Sequence, residues 1–388
     1  MNYQNLLSNK ALSIKPSEIR AFFDYARTIP NCISLGVGEP DFKTPYQVRN
    51  AGIKALEESR TWYTSNSGIL ELKEEITKYL SRRFSLEYST DEILVTVGGS
   101  EAIDLFLRAV INPGDEVIIP TPSYVSYHPL AELYGAKVVE CETTVENNFL
   151  LTKEALISKL TNKTKAIILT YPSNPTGAIL DKKTLNDLAE VLKDRDILIL
   201  ADEIYAELTY NKKHLSVANN PILKPKTVLV NGFSKSYAMT GWRLGYICAD
   251  KSLIEVMNKI HQYSIICASS ISQIAAITAL RCCDEEIAKM LQDYDTRRRL
   301  VVSEFNKLGL TCTTPEGAFY VFPSIKSTNM TSMEFSKKLL KAKKVAVVPG
   351  SAFGKSGEGY IRVSYSYSIR HLKEALKRIA EFLQEIDA

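Results

Sequence analysis

From Glu92 to Ser236 the chain repeats one unit, in which a short apolar run leads through a turn into a segment of helical period. The runs are EILVTV at 92–97, EVIIP at 116–120, KVVEC at 137–141, KAIILTYP at 165–172, DILILADEIY at 196–205 and TVLVNGFSKS at 227–236. Between them lie EAIDLFLRAVI and the helical stretches Tyr127 to Tyr134, Lys153 to Leu160 and Lys183 to Lys193. Strands spaced by helices of that length predict a mostly parallel sheet with helices on both faces, an α/β fold. In such a sheet ligands sit at the carboxyl ends of the strands.

The unusual residues fall at those ends. Gly98, Gly99 and Ser100 lead a strand into a helix, so free backbone N–H groups around Ser100 and Glu101 form an anion site. Tyr124 follows the second run in TPSY, Asn174 sits between prolines in YPSNPTG, and Asp202 ends a strand three residues before Tyr205. The stretch NGFSKSYAMTGWRLGY, 231–246, sets Ser234 and Lys235 in a loop between two apolar runs and brings in Arg243 after Gly241. A lysine there is partly desolvated and close to a second cation, and both effects favour the neutral, nucleophilic amine. Such an amine forms an imine with an aldehyde, as pyridoxal phosphate presents. Each residue also has a plain reading: a surface turn, a turn-forming amide, a helix cap, core aromatics. Together they match the needs of a pyridine cofactor: a carboxylate for the ring nitrogen, donors to its phenolate oxygen and an aromatic face.

The rest of the composition narrows the class. The 388 residues are 45% hydrophobic and 24% charged with a net charge of +4, and no run of basic residues points to nucleic acid. The N-terminus has no signal-peptide core and no run is long enough for a bilayer span, so a cytoplasmic protein with no membrane partner is expected. Seven cysteines without a C-x-x-C pair read as buried reduced thiols, Cys282 and Cys283 as helix packing, and no metal site is read.

Outside the repeat, helices are predicted from Ser17 to Ala26, from Tyr46 to Glu58, and in 62–80 with Ser67 as N-cap. LGVGEPDFKTP, 35–45, is a loop whose backbone can approach a ligand. Helical stretches follow at Ser252 to Leu280, Asp295 to Leu308 and Ser332 to Lys341, with strands in GAFYVFP, VAVVPG and GYIRVSYS. GSAFGKS at 350–356 is one residue too short for a nucleotide phosphate loop, and a strand follows it.

In order and spacing GEPDF, YPSNPTG, ADEIY and NGFSKSYAMTGWRLGY resemble the class I pyridoxal-phosphate aminotransferases of the aspartate aminotransferase fold type, from about Ile14 to the C-terminus. HQYSIICASSISQ, 261–273, and GAFYVFPSIKS, 317–327, are similar to the N-acetyl-diaminopimelate aminotransferases of Firmicutes and to aromatic aminotransferases of lactic-acid bacteria. The resemblance implies a large cofactor-binding domain, 46–290, and a smaller α+β domain formed from both termini, 1–45 with 291–388. It implies that Lys235 carries pyridoxal 5′-phosphate, that Asp202 pairs with the ring nitrogen, that Tyr205 and Asn174 bond the phenolate oxygen and that Tyr124 stacks on the ring. Gly99, Ser100, Glu101, Ser234 and Arg243 would surround the phosphate, with Tyr63 reaching it from the other subunit of a homodimer. Arg362 would grip the substrate α-carboxylate, helped by Asn174 and the backbone at Gly38.

The expected reaction moves an amino group from an amino acid to 2-oxoglutarate. N-acetyl-LL-2,6-diaminopimelate in lysine biosynthesis is the first choice of donor and an aromatic amino acid the alternative. The same residues serve C–S lyases. A regulator with an aminotransferase-like domain is a further reading, which expects a DNA-binding domain ahead of the fold.

Overall fold

In the computed structural model, residues 1, 3–14 and 18–387 are described. Twelve strands run along the chain: β1 Ile33–Ser34, β2 Ile93–Thr96, β3 Glu116–Thr121, β4 Lys137–Glu142, β5 Thr164–Thr170, β6 Leu198–Asp202, β7 Thr227–Gly232, β8 Gly245–Cys248, β9 Tyr320–Val321, β10 Val345–Ala346, β11 Val348–Pro349 and β12 Ile361–Ser364. β2 to β8 form one seven-stranded sheet in the order β2-β8-β7-β6-β5-β3-β4. All its pairings are parallel except those of β8, which runs antiparallel to both neighbours. The reversal has a local cause. Only residues 233–244 join β7 to β8, and they hold one 3-10 turn, Thr240–Trp242, in place of a crossover helix. That connection, which carries Ser234, Lys235 and Arg243, therefore lies at the carboxyl edge of the sheet.

Both faces of the sheet are buried. Ile167, Leu169, Ile199, Ala201 and Leu229 point into one hydrophobic cluster, and Ala166, Ile168, Leu200, Val228 and Val230 into another. At about 1.5–3 kcal/mol for each large side chain withdrawn from water, this double burial dominates the stability of the central strands. The predicted mostly parallel, helix-flanked sheet is the observed one.

A second core gathers Leu35, Tyr294, Val301, Phe305, Phe319, Phe335, Val345, Ile361 and Leu372. The N-terminal segment is stitched into it: β1 pairs in parallel with β10, Leu35 N–H donates to Ala346 O at 2.8 Å, and Ser364 N–H donates to Leu35 O at 2.8 Å. Residues 36–38 thus run alongside β12, which carries Arg362. An ion pair of Asp41 with Arg297 at 2.7 Å holds the next stretch.

Several boundaries differ from expectation. Ser67 does not cap its helix, which begins at Leu70; the Ile69 N–H donates instead to Gln273 Oε1 at 2.8 Å, and Ser67 Oγ accepts from Lys73 at 3.1 Å. The 252–280 stretch is two helices, Lys251–Ser264 and Ser270–Cys282, and the next starts earlier than expected, spanning Asp284–Lys307. VAVVPG divides between β10 and β11, which join different sheets. The first predicted helix is observed as Glu18–Thr28, and Ser17 lies outside the described residues. Cys282 is exposed while Cys283 is buried. No helix among the described residues is long and apolar enough to cross a membrane.

Candidate active site

At the carboxyl edge of the large sheet, against the second core, lies a cavity of about 460 Å³. It is lined by Gly38, Gly99, Ser100, Tyr124, Asn174, Asp202, Tyr205, Ser234, Lys235, Arg243 and Arg362, so eleven of the thirteen sequence-predicted site residues meet there. The other two are Glu101 and Tyr63.

Lys235 is half-buried, and its Nζ donates to Gly38 O at 2.6 Å. Desolvation, together with the charges of Arg243 and Arg362 and against the pull of Glu39 and Asp202, brings its amine down to about 8. Asp202, the last residue of β6, accepts from the Tyr127 hydroxyl at 2.6 Å and from Ile204 N–H at 3.2 Å. Burial raises its carboxyl above the ordinary value although both donors favour the anion. It makes no salt bridge among the described residues, so a buried carboxylate faces the cavity with no cation against it.

Arg362 is held on all sides but one. Its Nη1 donates to Asn174 Oδ1 at 2.8 Å, its Nη2 donates to Gly36 O at 2.5 Å, and the guanidinium lies 4.5 Å from the Tyr320 ring centre and 5.0 Å from that of Phe353. Its Nε is buried without a hydrogen-bond partner among the described residues. Tyr205 and Tyr320 share a hydroxyl contact of 2.7 Å. A methyl group on Gly38 would come within 2.4 Å of the Tyr320 oxygen, so the residue there must be glycine for this packing to form.

The anion cradle is equally close-fitting. Gly98 has φ +75°, and Arg243, itself left-handed at φ 50°, lays its guanidinium against it. A Cβ on Gly245 would meet Gly98 C at 2.8 Å and Gly99 N at 2.9 Å, so the bare backbone of β8 lets the turn seat against the sheet. The Glu101 carboxylate does not join the cavity. It accepts from the Val97 N–H and lies 2.7 Å from His261 Nδ1, which leaves only its backbone amide near the turn. Tyr63, 76% exposed, stands outside the cavity of its own chain.

Sequence reasoning missed Tyr127 and Tyr320, and Phe353, Val125 and Val348, which also line the cavity. Tyr127 follows Tyr124 by three residues in TPSYVSY and begins the helix Tyr127–Leu133 just after it; Tyr320 carries no such local signal.

The model of the aminotransferase class I and II family matches residues 30–379. The chain belongs to this aminotransferase family. It is 51% identical over 98% of both chains to the putative aminotransferase YugH of Bacillus subtilis (strain 168). It is 44% identical to the aspartate aminotransferase of Pyrococcus abyssi, over 98% of each, and 43% identical to the probable N-acetyl-LL-diaminopimelate aminotransferase of Bacillus subtilis, over 98% of this chain and 96% of that one. Among solved structures it superimposes on a Pyrococcus protein A1 with a TM-score of 0.95 at 42% identity, covering 97% and 98% of the two chains. For the aromatic aminotransferase from Pyrococcus horikoshii OT3 the TM-score is 0.90 at 41% identity, over 95% and 99%. The aminotransferase has the aspartate aminotransferase fold, and class I enzymes of this fold use pyridoxal 5′-phosphate. The cavity fits that group: an uncompensated buried carboxylate, a depressed lysine, and an arginine over a glycine turn correspond to its ring nitrogen, aldehyde and phosphate.

Proposed function

We propose that this aminotransferase binds pyridoxal phosphate through Lys235, with Asp202 at the ring nitrogen, Tyr205 and Asn174 at the phenolate oxygen and Tyr124 against the ring face. Ser100, Ser234, Arg243 and the amides of Gly99 to Glu101 take the phosphate. The observation that carries the substrate reading is the orphaned Nε of Arg362: a buried guanidinium with a free donor edge is shaped for a carboxylate, which it grips by two parallel hydrogen bonds.

When bound, the cofactor supplies an electron-withdrawing ring that accepts the charge left on Cα. Asp202 holds a proton on the ring nitrogen and so keeps that sink cationic. Arg362 and the Gly38 backbone orient the substrate by its α-carboxylate. Lys235, with its amine free, would serve as the base that takes the proton from the substrate Cα. Its depressed basicity leaves a large neutral fraction near pH 8.

Residues 1–45 and 291–388 form the smaller domain in this reading, supported by the shared core of Leu35 with Val345 and Ile361. The active unit is a homodimer in which Tyr63, exposed on its own chain, completes the partner's phosphate site.

For the donor, N-acetyl-LL-2,6-diaminopimelate with 2-oxoglutarate as acceptor is supported by the 43% relative and by the local likeness of 261–273 and 317–327. One observation favours a second reading, an aromatic amino acid. The lining includes Val125, Tyr320, Val348 and Phe353, and the cations lining the cavity are Lys235, Arg243 and Arg362, each already assigned. A distal carboxylate would need its counter-charge from the partner subunit. The deciding measurement is kcat/KM for the acetylated diaminopimelate against phenylalanine and tyrosine, each with 2-oxoglutarate. A tenfold preference for the aromatics, about 1.4 kcal/mol, selects the second reading.

A further inference from the structure

The side chains of His261, which is buried, and Glu101, which is partly buried, take no part in the chemistry above. His261, on the helix Lys251–Ser264, is 0% exposed, and its Nδ1 lies 2.7 Å from Glu101 Oε1. A carboxylate oxygen only accepts, so the imidazole carries its proton on Nδ1. Its Nε2 is buried with no partner among the described residues, which leaves Glu101 as the ring's single polar anchor. The other oxygen of Glu101 accepts from the Val97 N–H, the last backbone donor before the positive-φ Gly98. One carboxylate thus ties the backbone just ahead of the helix Gly98–Val110, whose first turn holds Gly99 and Ser100, to the helix Lys251–Ser264.

We propose that His261 and Glu101 are positioning residues for the cofactor's phosphate. They hold Val97 and Gly98 so that the amides of Gly99 and Ser100 stay aimed into the cavity. Without His261, Glu101 loses the donor that sets its rotamer and is left partly buried and half-satisfied; it then releases Val97, and the first turn of the helix Gly98–Val110 is free to relax. The effect passes through the backbone turn and reaches no atom of the ring. This rests on the reading that the turn binds phosphate, so the test compares two ligands that share the lysine attachment and differ only in that group.

Equilibrium dialysis of the purified protein against graded pyridoxal phosphate, and separately against pyridoxal, with the bound fraction read by absorbance, gives two dissociation constants per variant. His261→Leu and Glu101→Leu are expected to weaken pyridoxal phosphate at least tenfold while shifting pyridoxal less than threefold. His261→Asn, whose amide can donate from near the Nδ1 position, should recover most of the loss. Arg243→Leu serves as the reference for the site and should collapse the preference for the phosphorylated ligand. If Arg243→Leu does so and His261→Leu leaves the preference within twofold of wild type, the positioning role is overturned and the phosphate site stands. If Arg243→Leu also leaves it intact, the phosphate reading itself falls. Equal weakening of both ligands by His261→Leu and Glu101→Leu would likewise overturn the proposal by marking a general packing defect. Should the leucine variants not fold, His261→Phe, which keeps a ring but has no donor, is compared with His261→Asn: a loss of pyridoxal phosphate affinity of tenfold or more in His261→Phe that His261→Asn largely recovers supports the role, and equal affinities in the two overturn it.

Discussion

The Tyr127 hydroxyl donates to Asp202 Oδ2 at 2.6 Å, across 75 positions of sequence. The bond ties the start of the helix after β3 to the end of β6. It leaves Oδ1 with only a 3.2 Å contact from the Ile204 N–H, so the free side of the carboxylate is the side that faces the cavity.

Removing the charge at this position should slow proton abstraction far more than removing its support. Asp202→Asn is expected to lower the half-reaction rate by on the order of 10³-fold or more, and Tyr127→Phe by roughly 10- to 100-fold, the worth of one hydrogen bond to a charged group. Single-turnover spectra with an amino donor measure both. Asp202→Asn with weakened cofactor binding but an unchanged rate would reduce the residue to a backbone cap.

Lys235 should titrate early. Its amine lies near 8 in place of the ordinary lysine value of about 10.4, so it becomes neutral as pH rises through 8. In protein freed of cofactor, its acylation by an amine-directed reagent, followed by peptide mass analysis, should reach half-maximal rate near pH 8, while exposed lysines are still protonated. Lys235→Ala should show no reducible attachment of cofactor and almost no transamination. A midpoint above 10 would contradict the burial argument.

Arg362→Lys keeps the charge but loses the fork and its two ring contacts. We expect kcat/KM for every amino donor to fall by roughly 10²-fold or more, with little change in cofactor affinity. A loss confined to one class of donor would move Arg362 from the α-carboxylate to the side-chain end of the substrate.

Gly38→Ala places a methyl group 2.4 Å from the Tyr320 oxygen. Overpacking of this kind costs about 1–3 kcal/mol, and the displaced Tyr320 would also lose Tyr205. Denaturant melts should report the first effect and the absorbance of the bound cofactor the second. The double change Gly38→Ala with Tyr320→Phe should recover part of the stability.

Mixing Tyr63→Phe chains with Lys235→Ala chains tests the shared site. Each hybrid dimer contains one site with both residues intact, so activity should rise on mixing above the sum of the separate chains. A fully active monomer on sizing would remove the cross-subunit role.

Asp202, Asn174 and Lys235 could be read from the chain because Asp202 closes an apolar strand and the other two stand in the loops that directly follow β5 and β7, and the strand end is a local signal. Tyr320 could not, since it stands in an ordinary strand sequence and meets Tyr205, 115 positions earlier, only through the packing of the second core. Glu101 illustrates a different gap. The glycine turn before it was legible, but the direction of its carboxylate depends on His261, 160 positions later. Ser67 failed as a cap for a similar reason, because Gln273 supplies the acceptor from another helix. The reversed strand β8, by contrast, needed only the short connection that precedes it.

Arg362 reaches Gly36 O across 326 positions of sequence. At a synthesis rate of about 5–20 residues per second, the segment that frames the carboxylate site leaves the ribosome roughly 15–65 s before the arginine it will frame. The parallel sheet can close in that interval, but its ligand pocket cannot. On the roles proposed above, a nascent or prematurely terminated chain that stops before β12 would hold the lysine and the phosphate site with no grip on an amino acid, and substrate recognition would be acquired after cofactor binding.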